Sequence, residues 1–128
     1  MARHLPVRRA DRTGVKASDG QAAEHLAAAW LERRGLRILA RNYRCRTGEI
    51  DLIAQDGDTL VFVEVRLRRS AAFGGAAASV HGAKQRRLLS AARHYLMDRG
   101  EQPCRFDVVV LDALDEARIE WLRDAFGA

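Results

Sequence analysis

Cysteine is scarce in this chain: of 128 residues only Cys45 and Cys104 are cysteine, and they form no CxxC. That excludes a disulfide scaffold and a four-ligand zinc site, and no HxxxH spacing offers a transition-metal site instead. No apolar run approaches the ~20 residues a membrane helix needs. The opening MARHLPVRRADRTGVK has charges but lacks the apolar stretch of a secretory signal. Neither GxxxxGK followed by Ser or Thr nor GxGxxG occurs, so a nucleotide cofactor has no support. Lysine is nearly missing too, since 20 of the 22 basic residues are arginine and only Lys16 and Lys84 are lysine. The expectation is a cytoplasmic protein with free thiols and no membrane association.

What is present suits one soluble domain. Hydrophobic residues are 48% and charged residues 30%, an ordinary globular balance at a length that buries a real core. Charge is unevenly spread. Residues 1–20 carry net +3, residues 21–97 net +6 and residues 98–128 net −4. A basic body with an acidic tail points to a polyanionic partner, nucleic acid first. A general bias toward arginine would produce the same composition.

Residues 1–17 have no periodicity and read as a basic arm ahead of one domain over 18–128. Ser18 with Gln21 is a capping-box start for an alanine-rich helix to Arg34, stopped by Gly35. Its apolar stripe is Ala23, Leu26, Ala27, Trp30 and Leu31. Three strands follow, LRILARNYR, GEIDLIAQ and TLVFVEVRLR, the last two joined at Asp56-Gly57. Residues 70–79 are small and glycine-bearing, a connection in which Gly74 and Gly75 leave room to move. A second helix over residues 80–99 aligns Lys84, Leu88, Ala92, Tyr95 and Leu96 on one face. CRFDVVVLD reads as a buried strand and ARIEWL as a short edge strand. The order predicts a mixed α/β fold, a central sheet flanked by helices.

The chemistry lies in GEID and VEVRLRR. A two-residue turn at Asp56-Gly57 makes Gln55 oppose Asp58, so Glu49 faces Glu64 and Asp51 faces Phe62. Glu49, Asp51, Phe62, Glu64, Arg66 and Arg68 then share one face. Ile50, Leu52, Ala54, Val61, Val63, Val65 and Leu67 form an apolar one. Asp51 and Glu64 become diagonal neighbours at ~7–8 Å, near enough to share an ion, and Mg²⁺ suits such oxygen donors. Glu64 is costly inside an otherwise apolar strand unless a cation, a metal or a proton offsets it. A structural ion pair with a nearby arginine is the alternative. His81 precedes Lys84 by three residues and could touch phosphate, while His25 and His94 read as helix surface and His4 as arm. Asp107 reads as a structural partner of Arg105.

The run GEIDLIAQDGDTLVFVEVRLRRSAAFGGAAASV, the following Lys84 and then RFDVVV closely resemble the YraN-like family of uncharacterised bacterial proteins, from about Gly20 to Asp124. That family is similar to the PD-(D/E)XK nucleases and, among them, to archaeal Holliday-junction resolvases. The resemblance implies a restriction-endonuclease-like core in the order αβββαβ. It implies Mg²⁺ or Mn²⁺ held by Asp51, Glu64 and the Val65 backbone carbonyl, with Glu24 on the first helix added as in the resolvases. Arg66 stands where the superfamily expects lysine, and arginine stays charged and cannot serve as a base. Lys84 offers an ammonium from another element. The expected function is a Mg²⁺-dependent endonuclease on branched or junction DNA. Asp51, Glu64, Arg66 and Lys84 would be catalytic, and Arg66, Arg68, Arg69 and Lys84 would contact phosphate. The alternatives are an inactive nucleic-acid-binding module and an interaction protein, and a homodimer is left open.

Overall fold

Two strands of this chain are apolar on both sides, and they set the architecture. In VFV and VVV of the predicted third and fourth strands, successive side chains are fully buried in two different clusters. A strand buried on both faces must lie centrally with a layer on either side. The computed structural model describes residues 17–68 and 82–126. The order is α1 Ala17–Arg33, β1 Arg37–Cys45, β2 Gly48–Asp56, β3 Thr59–Leu67, α2 Gly82–Met97, β4 Cys104–Leu111, a 3₁₀ turn Glu116–Arg118, and β5 Ile119–Phe126. The sheet runs β1-β2-β3-β4-β5, with β3 and β4 parallel and every other pair antiparallel. This is the mixed α/β fold expected from the sequence, completed by a full fifth strand. The arm to residue 16, Arg69, the connection over residues 70–79 and His81 lie outside the described residues.

Each helix covers one face. Ala23, Ala27, Ala28 and Leu31 of α1 pack on Leu52, Ala54, Val61, Val63, Val109 and Leu111. Leu88, Ala91, Ala92 and Tyr95 of α2 pack on Ile50, Ile53, Phe62, Phe106, Val108 and Val110. An aromatic file runs through the second layer: Phe62 stacks on Phe106 at 5.3 Å and Phe106 on Phe126 at 5.1 Å. Helix α1 starts before the predicted cap, with Ser18 inside it, and Gly35 at φ 97° ends it.

The β2–β3 turn lies one residue later than predicted. Asp56 pairs with Thr59, so the loop is Gly57-Asp58, and Gly57 holds φ 61°. Glycine at the first central position is what a type II′ hairpin requires. The predicted facing of Asp51 with Phe62 is therefore wrong, because Phe62 pairs with Ile53. The predicted single apolar face is corrected as well. Ile50 joins the α2 side with Phe62, whereas Leu52, Ala54, Val61 and Val63 take the α1 side.

Gly48 opens β2 directly against α2. A Cβ there would stand 2.1 Å from the Arg87 carbonyl oxygen, with helix backbone unable to yield. The hydroxyls of Thr47 and Ser90 tie the same turn to the helix. Gly48→Ala is expected to destabilise the fold by about 1–3 kcal/mol, the range of an overpacked contact. A urea midpoint equal to wild type would show that the turn is not held against α2.

Candidate functional site

The candidate site forms where the regular sheet breaks. Between the bridged pairs Arg41–Leu52 and Tyr43–Ile50, Asn42 has φ 51° and stands across from Asp51. Asparagine tolerates this left-handed conformation better than most residues. Inward alternation slips here, since Ile50 and Ile53, three residues apart, enter the same core layer. The bridged β2–β3 ladder ends at Leu52–Val63, one step before Asp51 would meet Glu64. Instead, the Val65 N–H donates to Asp51 Oδ2 at 2.8 Å. The carboxylate thus replaces a ladder acceptor, which fixes the side chain between the two strands.

The acids meet in this gap. Val63 and Val65 belong to the α1 layer, so Glu64 between them projects toward α2, where it is only 3% exposed. Its Oε2 lies 3.2 Å from Lys84 Nζ and 3.5 Å from Arg66 Nη1. The carboxyls of Glu64 and Glu24 lie close enough to Asp51 for their charges to act on it. Asp51 is pushed up to about 8, chiefly by burial and next by the Glu64 charge, with the Val65 N–H opposing both. Burial likewise raises Glu24.

A cleft of about 240 Å³ opens over this cluster, lined by Glu24, Asp51, Glu64, Arg66 and Lys84. Among the described residues, no three His, Cys, Asp or Glu side chains are set as a metal cage. The carboxylates of Asp51, Glu64 and Glu24 are the oxygen donors that this cleft offers. Hard oxygen donors in an open cleft fit Mg²⁺ or Mn²⁺, ions that keep several waters.

The other buried acid is a useful contrast. Asp107 is 0% exposed and also sits at a sheet irregularity, between Phe106 and Val108 opposite β5. It accepts hydrogen bonds from Arg105 Nε at 3.0 Å, Trp121 Nε1 at 2.9 Å and the Asp124 N–H at 2.8 Å. Its donors satisfy it, as a structural acid requires. Asp51 has one amide and two acids around it, and it faces a cleft.

The sequence-predicted residues separate accordingly. Glu24, Asp51, Glu64, Arg66 and Lys84 come together, and Val65 joins them through its N–H. Arg68 does not, because its Nη2 lies 3.0 Å from Asp112 Oδ1 in a different cleft. His94 is an exposed residue of α2, as expected, and its Nδ1 is 2.6 Å from the Tyr43 hydroxyl. Sequence reasoning missed Asn42 and Gly48. Asparagine inside a predicted strand was the available signal for the first, and nothing local marked the second.

Comparison with known proteins identifies relatives of this chain. Residues 23–111 match the model of Uncharacterised protein family UPF0102. A UPF0102 protein from Ralstonia nicotianae is 61% identical over 117 residues, covering 87% of this chain and 88% of its own length. One from Nitrosomonas europaea is 56% identical over 114 residues, covering 88% and 94%. One from Methylobacillus flagellatus is 54% identical over 109 residues, covering 85% and 96%. With half the sequence or more shared across nearly the whole length of bacterial relatives, the chain belongs to the UPF0102 family.

Proposed function

We propose that this protein binds nucleic acid and hydrolyses phosphodiesters with a divalent metal, and that branched or junction DNA is its preferred substrate. One observation carries the reading: a half-buried acid pushed up to about 8 shares a cleft with a buried acid and with two cations paired to it. Perturbed carboxyls of this kind collect at reactive sites. Asp51 and Glu64 would hold Mg²⁺ or Mn²⁺, with the Val65 carbonyl as a further donor and Glu24 beside them. A metal there supplies Lewis acidity and a water of lowered pKa. Glu64 holds Lys84 and Arg66 beside the acids, where both can bind a phosphate oxygen. Lys84 is the only lysine among the described residues, and it supplies the ammonium missing from position 66. Arg66 remains charged and offers a bidentate fork to the phosphate.

A second reading, a binding module without turnover, draws on a specific fact. Lys84 and Arg66 already neutralise Glu64, so the pair can persist without metal. Cleavage assays on labelled junction and linear duplex with Mg²⁺ or Mn²⁺ separate the two. Arg66→Lys is expected to keep or raise cleavage, and Arg66→Ala to lower it about 10²-fold or more, the usual loss for a group stabilising transition-state charge. No cleavage by wild type or Arg66→Lys with either metal would leave the binding module.

A further inference from the structure

We propose that the cleft between the β1–β2 turn and α2 is a phosphate-binding track that carries nucleic-acid backbone away from the acid cluster. This deepens the hydrolase reading: it rests on that reading for what happens at the acids, and on its own residues for binding.

The cleft measures about 320 Å³, and its lining includes Arg44, Arg46, Thr47, Lys84 and Arg87. Four of those five side chains are basic. The acid among its walls, Glu49, is 3.5 Å from Arg44. Arg46 and Arg87 have no acidic partner among the described residues. Lys84 lines both this cleft and the acid cleft, so the two adjoin at one side chain. The track is preorganised. Gly48 lets the turn approach the Arg87 backbone closely, and Thr47 is hydrogen-bonded to Ser90. On the other side of the acids, a cleft of about 260 Å³ holds His25, Arg41 and Asn42 and shares Glu24 with the acid cleft. A basic cleft thus adjoins the acidic centre on the α2 side, and a cleft of balanced charge adjoins it on the other.

An extended polyanion that runs from the acidic centre along the basic cleft complements that pattern, and a mononucleotide does not span both clefts. A membrane surface is disfavoured because the exposed large apolar residues, Leu39, Met97 and Leu114, line none of the three clefts, and interfacial binding needs an apolar face.

The test is fluorescence anisotropy of fluorescein-labelled DNA and RNA duplexes in EDTA across a series of KCl concentrations. Arg46→Gln/Arg87→Gln is compared with wild type and with Arg37→Gln/Arg118→Gln, which removes the same charge elsewhere. Thermal melts check that each variant is folded. Each phosphate contact contributes about 0.9 to the slope of log affinity against log salt. The track variant should lose nearly two units of slope and about 10–100-fold in affinity on whichever duplex binds, and the control much less. Equal losses in the two variants, or no salt-dependent binding by wild type, overturn the track. Wild-type binding by the track variant alongside metal-dependent cleavage overturns the track and leaves the hydrolase reading standing. The expected loss of slope, with no cleavage by wild type, keeps the track and removes the hydrolase reading.

Discussion

Asp51→Asn is expected to make the metal-free protein more stable at neutral and alkaline pH and, if the proposed metal site holds, to be insensitive to Mg²⁺ or Mn²⁺ where wild type is stabilised. The Asp51 pKa in the folded state, about 8, lies above its ordinary 3.8. As pH rises, the unfolded chain therefore loses this proton first. Between about pH 4 and 8 the native state binds more protons than the unfolded state, and stability falls through that window. Below it both states are protonated, and above it both are ionised, so the loss levels off. A shift of this size corresponds to a few kcal/mol. Asparagine still accepts from the Val65 N–H and can donate to Glu64 or Glu24, without the titration. The gap between variant and wild type should open from pH 4 to 8 in thermal melts. Metal should close it for wild type alone, since a ligand bound only to the native state stabilises by mass action. The two acids are not equivalent: Glu64→Gln leaves Lys84 and Arg66 without their shared partner and should lower stability. A flat difference across pH, together with no metal effect in wild type, contradicts the proposed metal pair.

Asp107→Ala should be the most damaging single truncation, at about 3–5 kcal/mol, the penalty for stripping a buried ionic group of its partner. Three donors lose their acceptor together: Arg105 Nε, Trp121 Nε1 and the Asp124 N–H. Asp124 has φ 52°, so β5 turns there in a conformation that depends on that bond. Arg105 keeps only Asp56, 3.0 Å from its Nη2. Against a typical total of 5–15 kcal/mol, Tm should fall on the order of 10–20 °C. Asp107→Asn, which retains an acceptor, should lose about half as much. A loss below about 1 kcal/mol for the alanine variant would mean that β5 docks without this acid.

The element order was legible because period-2 and period-3.6 patterns are local, and because both faces of β3 and β4 are apolar. Glu64 declared itself as a charge inside VFVEV. The turn was misplaced because Asp56-Gly57-Asp58 contains two hairpin signals; Gly57 takes positive φ in both, and the pairing of Asp56 with Thr59 chooses between them. Both choices give a two-residue loop, so the error changed the partner of Asp51 without changing the parity of pairing, and the acids still met. The break at Asn42 and Asp51 was not legible, since it depends on three strands at once. The same holds for Lys84 reaching Glu64, and for Arg68 turning to Asp112 at the end of β4. Long-range pairing decides these contacts, and spacing along one strand carries no record of it.

The strand order also bears on how quickly the acids are brought together. Hairpin β2–β3 closes a loop of two residues, whereas the parallel pairing of β3 with β4 must close residues 68–103. The longer closure costs about 2.5 kcal/mol more in chain entropy. Asp51 and Glu64 can therefore meet while the hairpin is still in water, where charges 4 Å apart repel by only about 1 kcal/mol. We expect their repulsion to grow late in folding, as β4 and α2 dock and exclude solvent. Relief of that repulsion should accordingly appear in the rate of unfolding and hardly at all in the rate of folding. In a denaturant chevron of Asp51→Asn, the unfolding arm moves down and the folding arm stays where it was.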